Sequence, residues 1–95
     1  MRVSGPEEEG LRIRDDQDWV RINAAFCYTA LNRYPEAAAQ WRVLVERNNK
    51  TEYTYYYGLS LIRQWRLKEG WSRVRQAAAR GYSPAQRLLV RARIN

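Results

Sequence analysis

Ala24-Ala25-Phe26-Cys27-Tyr28-Thr29-Ala30-Leu31-Asn32-Arg33-Tyr34-Pro35-Glu36-Ala37, followed by Trp41 and Leu44, reads as the end of one helix, a break, and the start of another. Before the break, Ile22, Ala25, Phe26, Thr29 and Ala30 recur at three- and four-residue steps, the period of a helix face. At the break, Asn32-Arg33-Tyr34 interrupts the pattern. Pro35 then suits a first helical turn, where a missing N–H costs nothing, and Glu36 favours the positive end of the helix dipole.

The same pattern returns 33 residues later. Ala25 falls on Gly58, Tyr28 on Leu61, Tyr34 on Leu67, Glu36 on Glu69, Ala37 on Gly70 and Leu44 on Ala77. Small residues meet small ones and helix breakers stay in register, as expected of two copies of one helical hairpin. Glycine inside a helix costs about 1 kcal/mol relative to alanine. Gly58 and Gly70 therefore call for a packing reason, and two helices can cross closely only where side chains are short.

Working outward, the pattern predicts five helices. The first follows an Asp16 or Asp18 cap and spans Trp19 to about Arg33. Its apolar residues cover so much of the circumference that packing on two sides is expected. The second runs from about Pro35 to Arg47 with Ala37, Ala38, Trp41, Leu44 and Val45 on one face. Thr51 is expected to cap the third, which continues to Trp65; Leu67 to Arg80 forms the fourth, ended by Gly81. Ser83 and Pro84 open a last helix that presents Ala85, Leu88, Leu89 and Ala92. No stretch alternates with the two-residue period of a strand. Residues 1–16, with Gly5, Pro6, Gly10 and a Glu run, are expected to be a flexible acidic leader, and 17–95 a single domain.

The segment from Ala24 to Leu44 resembles a tetratricopeptide repeat. The run Gly70-Trp71-Ser72-Arg73-Val74-Arg75-Gln76-Ala77-Ala78-Ala79-Arg80-Gly81-Tyr82-Ser83-Pro84-Ala85-Gln86-Arg87-Leu88-Leu89 resembles the related Sel-one-like repeats still more closely. The resemblance covers residues 18–95. It departs from the family pattern at Arg21, where an aromatic is usual, and at Asn49, where proline is usual. It implies an all-α fold, a short right-handed solenoid of two repeats plus a C-terminal capping helix. It also implies that Ala25 and Tyr28 meet Ala37 and Trp41. In such a stack the first helix of each pair lines a concave groove for a peptide or helix of a partner protein. By register the groove would show Trp19, Ile22, Phe26 and Thr29, then Glu52, Tyr55, Leu59, Ile62 and Arg63. An apolar floor with an arginine at one edge suits a segment with an acidic flank. About three repeats are usually needed for independent stability. The uncapped N-terminal end should therefore bring Trp19 or Trp41 against the leader, a partner chain or a second copy, making a homodimer or heterodimer.

Charge suggests a second function class. The 95 residues carry a net +7. Residues 1–18 hold three Arg against six acidic residues, leaving an excess of ten positive charges on the body. Residues 63–95 carry nine basic groups, including Arg73, Arg80, Arg87 and Arg91, and one acidic group, Glu69. A basic helical protein associated with nucleic acid is the alternative expectation, with Tyr55 and Tyr56 as contact candidates and Tyr53 and Tyr57 in the core.

The composition argues against catalysis and cofactors. With no histidine, the commonest general base and metal ligand is missing, and one cysteine builds neither a thiolate metal site nor an internal disulfide. Cys27, in an apolar stretch, is expected to be buried and inert. No apolar run is long enough to enter a membrane. Fifteen of the 17 basic residues are Arg, a bias found in GC-rich bacterial genomes. A bacterial, cytoplasmic adaptor or chaperone is the expectation.

Overall fold

The computed structural model describes the backbone of residues 6–93 and the side chains of residues 17–93. It is all-α: α1 (Pro6–Ala30), α2 (Tyr34–Asn48), α3 (Thr51–Arg63), α4 (Leu67–Ala79) and α5 (Ser83–Ala92). No strand occurs among the described residues. Each helix packs on the next in chain order. Of the flexible acidic leader expected over residues 1–16, residues 1–5 and the side chains of 6–16 lie outside what is described, and the backbone of 6–16 is the start of α1.

The α1–α2 and α3–α4 turns are three residues long and close in the same way. Asn32 and Trp65 adopt left-handed φ values of 59° and 64°. Arg33 (φ −97°, ψ 70°) and Arg66 (φ −87°, ψ 69°) follow. The Arg33 N–H donates to the Tyr28 carbonyl at 2.8 Å and the Asn32 N–H to Thr29 at 3.0 Å. Their counterparts are Arg66 to Leu61 at 3.0 Å and Trp65 to Ile62 at 2.9 Å. These crossed bonds satisfy the last carbonyls of the helix, as a Schellman closure does. Arg33 pairs with Glu36, and Arg66 with Glu69. Gly81, at φ +93°, ends α4 with the same kind of bond, Tyr82 N–H to Ala77 at 3.1 Å.

Several local expectations need correction. Trp65 lies outside the third helix, because the left-handed residue of the turn falls on it. Thr51 and Ser83 are first helical residues rather than caps; Lys50 and Tyr82 hold the cap positions without a side-chain cap bond. Asp18 does not start a helix either, since α1 begins twelve residues earlier, at Pro6. It is buried against the end of α2, where the Asn48 Nδ2 donates to its Oδ2 at 3.1 Å and the Arg47 guanidinium stands 3.8 Å from Oδ1. A buried carboxylate needs such partners to offset its lost hydration. Cys27 is exposed, as are Val20 and Leu31. The first helix is thus covered on one side, not two.

The core sits in two connected clusters. Ala25, Ala37, Trp41, Leu44, Tyr53, Tyr57 and Leu61 fill the space among α1, α2 and α3. Val74, Ala77 and Ala85 anchor the second, with Ile62 and Leu88 packed on it. Trp41, only 2% exposed, is covered by the chain itself. That leaves Trp19, 63% exposed, as the open tryptophan of the pair expected at the N-terminal end. At the α3–α4 crossing, a Cβ on Gly58 would lie 2.8 Å from the Gly70 carbonyl oxygen. A Cβ on Gly70 would lie 2.9 Å from the Ile62 backbone nitrogen. Both glycines are where the backbones come too close for a side chain.

Candidate partner-binding face

Helices α1 and α3, together with the start of α5, bring five aromatic rings into one connected line. Trp41 reaches up from α2 and stacks on Tyr56 with centroids 4.9 Å apart and planes 20° from parallel. Phe26 stands edge-on to both, 5.3 Å from each. Tyr55 meets Tyr56 and Tyr82 edge-on, again at 5.3 Å. Edge-to-face and offset pairs are the arrangements that ring quadrupoles favour, each contributing about 1 kcal/mol beyond burial. The line is therefore held rigid by its own packing.

Phe26 and Tyr56, seated on the buried Trp41, form a ridge between two depressions. On one side, Thr29, Tyr34, Leu59 and Arg63 complete a hollow of about 140 Å³. The Arg63 guanidinium lies 5.7 Å from the Tyr34 ring, which places its charge at the rim. On the other side, Ile22, Lys50, Glu52, Tyr53 and Tyr82 complete a hollow of about 340 Å³. Beyond Tyr55, the side chains of Pro84, Arg87, Leu88 and Arg91 frame a third, of about 200 Å³. The first hollow is apolar and the other two mix rings with charged groups, a combination that can hold apolar side chains and orient an acidic group.

The groove residues expected from sequence divide accordingly. Ile22, Phe26, Leu59 and Arg63 border the two central hollows, and Tyr55 adjoins them through Tyr56. Trp19 borders none of the three. Ile62 packs instead against the second core cluster, and its side chain occupies the space that Gly70 leaves open. Tyr34, Tyr82 and Lys50 belong to the face but not to the expected set, and Trp41 lies beneath it. Trp41, a packing residue by register, is buried as that register implies. An indole on a small-residue helix is large enough to pass between α1 and α3 as well. Tyr82 reads in sequence as a connector and carries no helical-period signal.

The residues of the expected basic surface lie along and at the end of α4 and on α5. The Arg73 guanidinium sits 5.2 Å from the Tyr57 ring. Arg80 donates to the Asn49 side-chain oxygen at 3.3 Å. Only Arg87 and Arg91, one turn apart on α5, share a hollow. Burial is the main cause raising the Tyr55 hydroxyl above its ordinary value, with Tyr56 adding to it and Arg91 and Arg87 opposing. Burial likewise raises Tyr82, with smaller contributions from Tyr56, Glu52 and Tyr55.

Among the described residues, no group of three His, Cys, Asp or Glu side chains is placed to hold a metal ion. No helix is long and apolar enough to cross a membrane among the residues described. No family model, no curated protein and no solved structure matches the chain.

Proposed function

We propose that the chain is a helical-hairpin repeat module, two hairpins and a capping helix, that binds an acidic-flanked segment of another protein along α1, α3 and α5. It serves as an adaptor or small chaperone in a bacterial cytoplasm. The observation that carries this reading is the ridge of Phe26 and Tyr56, seated on the buried Trp41, between two aromatic-lined hollows, with Arg63 at one end and Arg87 and Arg91 past the other. The repeat reading is supported by the turns at Asn32 and Trp65, whose dihedrals and hydrogen bonds recur at the 33-residue spacing.

The test is a peptide selected on the whole protein from a random display library. Replacing Phe26 and Leu59 by alanine is expected to weaken its binding at least about tenfold, the loss typical of buried anchors. Unchanged affinity would reject the face. The nucleic-acid reading rests on Arg87 and Arg91 beside Tyr55. It ranks second because Tyr56 already stacks on Trp41 and Tyr55 is flanked edge-on by two rings, so neither offers a free platform for a base. Oligonucleotide binding that falls steeply with salt and ignores the Phe26 and Leu59 substitutions would reverse that order.

A further inference from the structure

The hollow of about 200 Å³ between α3 and α5 is walled by Tyr55, Pro84, Arg87, Leu88 and Arg91. Arg87 and Arg91 stand one turn apart on α5, both exposed. Like charges at that spacing repel. Among the described residues, neither guanidinium has an ion-pair or hydrogen-bond partner to offset the repulsion. Other hollows that bring two arginines together differ. Where Arg21 and Arg47 meet, Arg21 donates to Gln40, and Arg47 donates to Gln17 beside Asp18. Where Arg42 and Arg66 meet, they pair with Glu46 and Glu69. The wall of the α5 hollow holds no acidic residue; Glu52 borders the neighbouring hollow, with Tyr82. Burial, and Tyr56 with it, holds the proton on Tyr55 against the pull of Arg91 and Arg87. The hydroxyl is thus a hydrogen-bond donor at neutral pH, within the field of both charges.

We infer that this hollow binds a phosphomonoester dianion, the phosphate of a phosphorylated side chain on the partner segment. That a side chain carries it rests on the peptide-binding function proposed above; charge decides the chemistry. A carboxylate is a monoanion whose two oxygens a single guanidinium fork satisfies. It would leave the second arginine uncompensated. The phosphodiester of a nucleic acid is likewise a monoanion. A phosphomonoester brings a charge of about −2 and three acceptor oxygens, which match Arg87, Arg91 and the Tyr55 hydroxyl. Pro84 and Leu88 add an apolar part to the wall, which the carbon stem of a side chain covers and free phosphate does not.

The arginine Nε–H resonances of the full chain, followed by NMR at constant ionic strength, test the chemistry. The probes are methyl phosphate, dimethyl phosphate and acetate, at a pH well above the monoester's second pKa of about 6. Methyl phosphate is expected to shift Arg87 and Arg91 saturably and to bind at least about fivefold more tightly than either monoanion, the gain from one more exposed ion pair. Arg87→Gln and Arg91→Gln, at exposed positions, each remove that advantage, and Tyr55→Phe reduces it while keeping the ring. Equal affinity for the monoanions, or shifts at Arg73 and Arg80 as large as those on α5, overturns the phosphate site. A second arm uses the display-selected peptide with phosphoserine or serine at its acidic flank. Phosphorylation is expected to tighten binding at least about fivefold in wild type and to have no effect in Arg87→Gln/Arg91→Gln. Saturable methyl phosphate binding without that gain overturns the side-chain source. Phe26→Ala/Leu59→Ala leaves methyl phosphate binding unchanged, so failure of the peptide face and failure of the hollow give different results.

Discussion

The two hairpins close with the same turn yet fill their interiors in opposite ways. In the first, Ala25 and Ala37 face each other, fully buried, and Trp41 and Leu44 supply the bulk. In the second, Gly58 and Gly70 bring backbone against backbone, and the positions 33 residues on from Trp41 and Leu44 hold only Val74 and Ala77. Side-chain volume and helix approach have been exchanged, one for the other, while register and turn stayed fixed. Protein interiors are close-packed, so neither hairpin can adopt one half of the other's solution alone.

Trp41→Val tests this most severely. It gives the first hairpin the side chain of the second without the glycines that close the gap, and it removes the ring on which Tyr56 stacks. A loss of about 3 kcal/mol in denaturant unfolding is expected, the range for large-to-small core changes. A loss under about 1 kcal/mol would mean that α1 and α2 simply close up, and the contrast between hairpins would fail.

The reverse exchange, Gly70→Ala, should cost less. Alanine gains about 1 kcal/mol of helix propensity. Its Cβ, however, would meet the Gly58 carbonyl oxygen at 2.8 Å and the Ile62 nitrogen at 2.9 Å. These are backbone atoms that cannot swing aside, so overpacking wins and a net loss of about 2 kcal/mol is expected. Thermal and denaturant unfolding of Gly70→Ala beside Ala37→Gly would show it. A Gly70→Ala protein as stable as wild type would place the closest approach elsewhere.

Most of this contrast is legible in sequence, because small residues at helical spacing have few other uses. Ala25, Ala37, Gly58 and Gly70 announce crossings, and Asn32-Arg33-Tyr34 and Gly81 announce stops. Long-range consequences are less legible. Asp18 looks like a cap until α2 folds back and places Asn48 and Arg47 beside it. Ile62 shares the helical phase of the groove residues, and only the missing side chain at Gly70 draws it under the α3–α4 crossing. Trp41 reads correctly as core, yet periodicity gives no depth, and its buried ring lies directly beneath Phe26 and Tyr56. Cys27 and Leu31 look packed because apolar residues surround α1 on all sides; which side stays open depends on what the chain brings to it.

The turns themselves differ at their left-handed residue. Asn32 and Trp65 share a left-handed φ, which asparagine tolerates and a bulky side chain pays about 1 kcal/mol or more to adopt. At 83% exposure, Trp65 recovers little of that cost through packing. Asn32 also accepts a hydrogen bond from the Tyr34 hydroxyl at 2.9 Å. Trp65→Asn is expected to stabilise the protein by about 1 kcal/mol, and Asn32→Trp to destabilise it by a similar amount. Opposite shifts in Tm would confirm that the shared turn geometry is imposed by the fold rather than chosen by the residue. Loss of stability in Trp65→Asn would assign the exposed ring a contact of its own.

The smallest expected effect separates the two halves by pH. Tyr55 and Tyr82 hold raised hydroxyls, chiefly through burial, whereas 33 residues earlier stand Ile22 and Asn49, which do not ionise. Well below the ordinary value of 10.0 both phenols are neutral in the folded and the unfolded chain, so they add no pH dependence there. As pH rises past the ordinary value of 10.0, the unfolded chain releases these protons first. The folded state then holds more protons than the unfolded one, and stability falls with further rise. The loss should begin around Tyr55 and Tyr82, loosening α3 and α5 before α1 and α2. Phenolate absorbance during alkaline titration, read beside hydrogen exchange of each helix, would detect it. Arg87 and Arg91 oppose the rise at Tyr55, so Arg87→Gln with Arg91→Gln should move its titration to still higher pH. A titration that moved down, or one that loosened α1 first, would show that the aromatic line does not couple α3 to α5 as its ring contacts imply.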